Sequence, residues 1–260
     1  IIHKFLIVNI NSKCYTFHVL LSGEKERLIM SKKYVVGLDL GGTKIYTALV
    51  DLNGTIIKEK VVETLAFEGE EAVINRMMDT IDYVIEGTDK ELIKAIGIGA
   101  PGALDLKEGI VIESPNLPFE NFELVGKIRA RYDLPTYLDN DANVATLGEY
   151  KFGAGKGTEN MIYMTVSTGI GGGAILNGKI FRGSTGNALE IGHTTISQER
   201  TRCGCGNIGC AESLASGTAI GKRAKEAVNS NAETSLKNYD DVTSKEVFIE
   251  AANGDRVAKE

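Results

Sequence analysis

Apolar positions along this chain come in short runs whose period changes several times. Val35-Val36-Gly37-Leu38 and Ile45-Tyr46-Thr47-Ala48-Leu49-Val50 are nearly continuous apolar runs of strand length, joined through Asp39-Leu40-Gly41-Gly42-Thr43-Lys44. Strand, glycine turn, strand is a hairpin. A third strand follows the Asn53-Gly54 turn and runs to Val62. The spacing then switches: Val73, Ile74, Met77, Met78, Ile81, Val84 and Ile85 predict a helix over 70–86, ended by Gly87. A short buried strand is expected over 95–99, a polar loop through Asp105 and Gly109, a helix over 122–132 and a strand over 134–138. Asn140 or Asp141 would cap a helix covering 142–151. A strand over 160–167, a glycine loop from Ser167 to Gly173, a strand over 174–176 and an Asn177-Gly178 hairpin come next. Residues 183–210 read as loop, and helical patterns return over 211–229 and 244–252. The segments 34–62 and 160–182 share the order strand, glycine–threonine turn, strand, so two halves of related architecture are expected.

Composition narrows the class. With 260 residues, 43% hydrophobic and 25% charged, the chain can bury a sizeable core as one large or two smaller domains. A net charge of −6 argues against a protein devoted to nucleic acid or an anionic membrane surface. The 30 glycines cluster near 41, 99, 169, 183 and 204, as several loops approaching a ligand closely would require. Residues 1–29 carry neither a secretory leader pattern nor a spanning run. Met30 before Ser31-Lys32-Lys33 is the expected natural start, with 1–29 a non-native or disordered extension.

Four groups of residues carry candidate chemistry. A glycine hairpin tip such as Gly41-Gly42-Thr43 exposes backbone N–H groups that can cradle phosphate, and Asp39 beside it could hold Mg2+ through water; a plain buried hairpin fits those ten residues equally well. His193 with Cys203, Cys205 and Cys210 is the Cys3His set of a closed tetrahedral Zn2+ site, the alternative being reduced thiols in a mobile loop; Cys14 stands apart from them. Asp139 and Asp141 sit where a strand ends and a helix begins. A helix N-terminus there would favour an ionised Asp141 and so a general base, the alternative being a helix cap with a solvated neighbour. Finally, Glu190, His193 and Glu212, on a loop pinned by metal, suit sugar hydroxyls, the alternative for each taken singly being a surface residue. Thr165 to Gly173, weak as a lone glycine loop, becomes a second phosphate loop when paired with the first.

Taken together, these residues resemble the ROK family of repressors, open reading frames and sugar kinases. The resemblance covers 32–260 and rests on Asp39-Leu40-Gly41-Gly42-Thr43-Lys44, Ala100-Pro101-Gly102, Ser114-Pro115-Asn116-Leu117, Asn140-Asp141-Ala142-Asn143, Glu190-x-Gly192-His193 and Cys203-x-Cys205-Gly206-x-x-Gly209-Cys210-x-Glu212. It implies an α/β, two-lobed actin-like ATPase (ribonuclease H-like) fold, with ATP and sugar in the cleft between the lobes. The lobes implied are 30–138, with the first phosphate hairpin, and 139–260, with the catalytic Asp, the second phosphate loop and the zinc loop. The activity implied is ATP-dependent phosphorylation of a hexose at O6, glucose foremost; the alternatives are fructose, N-acetylmannosamine or N-acetylglucosamine. Asp141 would be the catalytic base; Gly102, Ser114, Asn140, Asp141, Glu190, His193 and Glu212 would bind sugar; Asp39, Gly41, Gly42, Thr43, Lys44, Thr168 and Gly169 would bind ATP and Mg2+. His193 would serve zinc through one ring nitrogen and sugar through the other.

The resemblance further implies a cytoplasmic enzyme with no nucleic-acid or membrane partner, assembled as a homodimer or tetramer. It implies a longer chain too, with a glycine pair at adenosine and a closing helix beyond Glu260. The sugar-responsive repressor branch of the family calls for a winged helix-turn-helix before the first phosphate motif, and 1–29 show no such pattern. One residue departs from the family pattern: Leu189 stands where a small residue normally precedes the Glu.

Overall fold

The computed structural model describes residues 32–184, 186, 188–198 and 201–260. The expectations for 1–29, for Met30 as the start and for Cys14 fall outside the described residues. In chain order the elements are β1 (Tyr34–Leu40), β2 (Lys44–Asp51), β3 (Ile56–Glu63), α1 (Glu70–Ile85), β4 (Ile93–Ala100), β5 (Ala103–Asp105), β6 (Ile110–Glu113), β7 (Glu120–Phe122), α2 (Leu124–Tyr132), β8 (Thr136–Asn140) and α3 (Asp141–Phe152). They are followed by β9 (Met161–Val166), β10 (Ile170–Leu176), β11 (Lys179–Phe181), α4 (Ala211–Ala215), α5 (Gly217–Asn229), α6 (Ser244–Asn253) and α7 (Arg256–Lys259). The chain forms two compact units. The first runs to Met161 and includes Ala174–Ala188; the second takes Ile162–Gly173 and Leu189–Glu260. Within the first unit α3 packs against β4 and β8 of one sheet. Among the described residues no helix is long and apolar enough to cross a membrane.

The first unit is built on a five-stranded sheet of order β3-β2-β1-β4-β8. The apolar runs at its start form an antiparallel meander, and β4 and β8 extend it parallel to β1. Alternation along β1 sorts its two faces. Val36, Leu38 and Leu40 point to one face and pack with Val73, Met77 and Ile81 of α1 and with Ile98 and Leu138. Each of these buried side chains stabilises the unit by roughly 1.5–3 kcal/mol. The other face carries Val35, Tyr46, Ala48 and Val50. On it Asp39 lies in register with Gly99, and Gly99 with Asp139. A Cβ on Gly99 would stand 3.4 Å from Val144 Cγ2 and 3.7 Å from Asp141 Cα, so the glycine lets the start of α3 settle close over that row.

Two expectations are corrected and one choice is settled. The segment expected as a polar loop through Asp105 and Gly109 is a small antiparallel meander of β5, β6 and β7, closed by the stacked rings of Phe119 and Phe122 at 4.3 Å. Its strands are three or four residues long, too short for alternation to register. The glycine run from Gly171 to Gly173 is strand rather than loop; only Ser167, Thr168 and Gly169 make the turn. The reason is close approach: a Cβ on Gly172 would lie 2.7 Å from Ile191 Cδ1 and 3.1 Å from the Leu189 carbonyl oxygen. Finally, Asn140 alone caps α3, which begins at Asp141.

β10 begins in the second unit and ends in the first, where Ala174, Ile175 and Leu176 pair with β11 across Asn177-Gly178. Both turn residues have positive φ, 50° and 72°, as a two-residue hairpin of this hand requires. In the second unit, Ala224 of α5 packs with Leu236, Val242 and Val247, and α6 opens on a Thr243–Glu246 capping box.

Candidate active site and metal centre

The first unit gathers one set of the expected residues. The Gly41-Gly42-Thr43 turn is closed by the Gly41 N–H donating to the Lys44 carbonyl at 3.0 Å and tied down by the Thr64 hydroxyl donating to the Gly41 carbonyl. Gly42 must lack a side chain, since a Cβ would lie 2.5 Å from Asn116 Cβ and 2.9 Å from its carbonyl oxygen. Asn116 belongs to the Ser114–Leu117 segment, so the hairpin tip and that segment abut. Gly102, with φ of 97°, is the neighbour of Ser114. The Ser114 hydroxyl is buried and has no hydrogen-bond partner among the described residues. A cavity of about 440 Å³ opens on this meander, lined by Ser114, Leu117, Phe119 and Asn121 among others.

At the start of α3, the Asn140 side-chain oxygen accepts from the N–H groups of Ala142 (2.9 Å) and Asn143 (3.3 Å). That leaves its amide nitrogen as the group it can offer a ligand. Asp141 is reached by water, and its Oδ1 accepts from the Ala142 N–H at 2.8 Å. The surrounding protein raises its carboxyl above the ordinary value, outweighing the backbone N–H groups that favour the charge. Burial also raises the Asp39 carboxyl, to about 6; the nearby Asp141 charge adds to that push and Lys44 opposes it.

Asp139 is not a second free carboxylate. Its Oδ2 accepts from Arg182 Nε (2.9 Å) and Nη2 (2.6 Å), while its Oδ1 accepts from the Asn140 N–H (2.9 Å) and Asn143 Nδ2 (3.1 Å). Sequence reasoning missed Arg182 and Asn143. Arg182 follows a short hairpin strand and carries no local signal; Asn143 stood within the quoted motif without a role.

The second unit gathers the other set. His193 Nδ1 lies 3.6 Å from Cys203 Sγ, and the Cys205 and Cys210 sulfurs are 3.7 Å apart. All four ligand atoms lie within 4.8 Å of one another. A tetrahedral zinc with arms of about 2.3 Å to sulfur and 2.0–2.1 Å to nitrogen has edges of roughly 3.6–3.8 Å, so the donors present fit that ion. Bridges between Thr195 and Cys210 and between Arg202 and Ile208 hold the ligand loop. With Nδ1 at the cluster, Nε2 faces Glu190 Oε2 at 3.9 Å. Glu212 Oε1 stands 4.0 Å from His193 Nδ1, and its Oε2 accepts from the Ile170 N–H at 2.8 Å. Thr168 and Gly169 sit in the turn just before Ile170. Leu189 has φ of 65°, the left-handed region that a leucine adopts at a cost.

Residues 35–260 match the profile of the ROK family. This chain belongs to the ROK family. The glucokinase of Halalkalibacterium halodurans is 38% identical over 237 residues, covering 88% of this chain and 72% of that protein. The xylose repressor of Caldicellulosiruptor bescii is 35% identical over 230 residues, 86% of this chain and 58% of the repressor. Among solved structures, the ROK family glucokinase from Streptomyces griseus, in complex with glucose and AMPPNP, superposes with a TM-score of 0.72 at 36% identity, covering 86% of this chain and 73% of the glucokinase. The fold is therefore that of the ROK glucokinases, the actin-like ATPase and sugar kinase architecture expected from the motifs.

Proposed function

We propose that this ROK protein is an ATP-dependent hexose kinase that phosphorylates O6 of an aldohexose, glucose foremost. The observation that carries the reading is Asp141: a carboxylate reached by water, first in its helix, with its affinity for a proton raised and a second carboxylate, Asp39, close by. Asp141 accepts the proton of the attacking hydroxyl as the new O–P bond forms and the bond from the γ-phosphorus to its bridging oxygen breaks, releasing ADP. The raised proton affinity makes Asp141 a stronger base than a surface aspartate. Asn140 offers its amide N–H to a sugar hydroxyl, and Gly102 and Ser114 line the same side of the sugar. Glu190, His193 and Glu212 are the further hydroxyl partners that the family resemblance implies.

The Asp39 hairpin, with Gly41, Gly42, Thr43 and Lys44, and the Thr168-Gly169 turn take the phosphates. Mg2+ beside Asp39 supplies charge stabilisation for the transferring phosphoryl group when bound. His193, Cys203, Cys205 and Cys210 would hold zinc, and a zinc bound there would fix the imidazole with Nε2 left for substrate. Support for glucose comes from the glucokinase names of relatives such as that of Halalkalibacterium halodurans and from the Streptomyces griseus enzyme solved with glucose and AMPPNP. We place the enzyme in the cytoplasm, as a homo-oligomer without nucleic-acid or membrane partners.

The xylose repressor at 35% identity favours a second reading, sugar binding without turnover. An ADP-release screen across glucose, fructose, mannose, N-acetylglucosamine and N-acetylmannosamine separates the two. Turnover with glucose highest, lost in Asp141→Asn while glucose binding persists, supports the kinase. Hexose binding with no ADP release from the wild type supports the second reading instead.

A further inference from the structure

The turn expected to meet phosphate and the side chains expected to meet sugar share one carboxylate in the second unit. Glu212 projects from α4, with its peptide fixed by the Ala211 N–H donating to the Thr194 carbonyl at 3.0 Å and the Ser216 N–H donating to the Glu212 carbonyl at 3.1 Å. Its Oε2 accepts from the N–H of Ile170, the residue directly after Gly169, while Oε1 turns toward His193. Space around that oxygen is tight: a Cβ on Gly169 would lie 2.5 Å from Glu212 Oε2. The far side of the turn is held too. The Gly217 N–H donates to the Ser167 carbonyl at 2.8 Å, and the Thr218 hydroxyl to the Thr168 carbonyl at 2.8 Å. With the turn anchored from the start of α5, the Glu212 contact sets the position of its exit into β10.

We propose that Glu212 is a positioning residue coupling the sugar side of the site to the Thr168-Gly169 phosphate turn, a role that rests on the kinase reading and adds to it. A hydroxyl that engages Oε1 fixes the carboxylate, and through Oε2 the Ile170 N–H and the turn before it. By linkage, nucleotide on the turn strengthens sugar binding by the same factor that sugar strengthens nucleotide binding. The glycine at 169 is then a requirement of the sugar side as well as of the phosphates.

Gly169→Ala tests this, because the new methyl meets only the flexible end of Glu212. The affinity for glucose, measured by calorimetry in the absence of nucleotide, is expected to weaken about fivefold or more in Gly169→Ala. In a Glu212→Ala background the same change at 169 should shift glucose affinity by less than about twofold. Glu212→Gln, which keeps an acceptor for the Ile170 N–H, should retain the ATP KM, whereas Glu212→Ala should raise it. Gly169→Ala changing the ATP KM alone, or Glu212→Gln and Glu212→Ala raising it equally, overturns the coupling while leaving the kinase reading intact. A wild-type protein that binds no hexose removes both.

Discussion

Removing the Arg182 guanidinium should loosen the corner that carries Asp141, and the size of the effect follows from the surroundings of Asp139. That carboxylate accepts four hydrogen bonds, two of them from Arg182, and its side chain is 13% exposed against 32% for the arginine. Exposed ion pairs contribute about 0–1 kcal/mol, and breaking a buried one costs about 3–5 kcal/mol. With one partner largely enclosed and the other about a third open, Arg182→Ala should cost about 2 kcal/mol, roughly thirtyfold in the local opening equilibrium. Single-sided loss overstates the pair itself, so the decisive quantity is the coupling in a double-mutant cycle of Arg182→Ala with Asp139→Ala, expected at about 1 kcal/mol.

Hydrogen–deuterium exchange at the amides of β8 and of the first turn of α3 is the suitable readout, because it reports the local opening of those elements directly. The effect should be confined to β4, β8 and α3. The ADP-release rate of Arg182→Ala should fall with it, since Asp139 also holds Asn140 and Asn143 on either side of Asp141. A coupling energy below about 0.5 kcal/mol, or faster exchange spread evenly over the unit, would refute the reasoning.

The remaining predictions concern charge, backbone strain and metal. The Asp39 carboxyl is raised from its ordinary value near 3.8 to about 6, so in the folded state it holds its proton through a pH range where the unfolded chain has lost it. Its contribution is therefore fully present below about pH 4 and declines as pH rises to about 6, by up to about 3 kcal/mol; Asp39→Asn should remove this decline, and identical pH–stability slopes for wild type and Asp39→Asn would refute the assignment. At Leu189, Ala and Gly both delete the side chain but only Gly relieves the positive φ, so Leu189→Gly should be about 1 kcal/mol more stable than Leu189→Ala in chemical denaturation, and equal stability would refute the strain. Purified protein should carry about one zinc per chain; in a Cys14→Ser background its thiols should react slowly with a disulfide reagent until a chelator is added, and immediate reaction of all of them without chelator would refute the metal cluster.

Much of this architecture is legible in the residues because its cues are local. The hairpin around Gly41-Gly42, the α1 stripe, the Asn140 cap and the Asn177-Gly178 turn each depend on neighbours a few positions apart, and the structure places each near its expected bounds. The Cys3His cluster was readable for a different reason: few other uses explain three cysteines and a histidine so spaced. What escaped depends on distant pairing. Asp139 and Arg182 are 43 residues apart, and nothing in either neighbourhood announces the other. The glycines at 171–173 look the same in sequence whether they free a loop or make room in a strand, and only the Leu189–Ile191 segment lying over Gly172 decides for the strand. The proton affinity of Asp141 shows the same limit, since the helix terminus is visible in the sequence and the mass of protein around it is not.

The row across β1, β4 and β8 explains why the carboxylates behave so differently. Asp39, Gly99 and Asp139 stand side by side near the C-terminal ends of three parallel strands, and the bare Gly99 lets Asp141 come down over them. Burial raises the carboxyls of Asp39 and Asp141, and the Asp141 charge adds to the push on Asp39. Asp139 is held by Arg182. Asp141 keeps contact with water and the Ala142 N–H. Asp39 has Lys44 against burial and the Asp141 charge, and its carboxyl is raised to about 6. A protein that needed only a stable sheet would gain by replacing Asp39 with an apolar residue, as Val36, Leu38 and Leu40 on the opposite face illustrate. A carboxylate held there at a cost to stability, beside a glycine hairpin and a second carboxylate, suits a site that a phosphate-bound divalent cation completes.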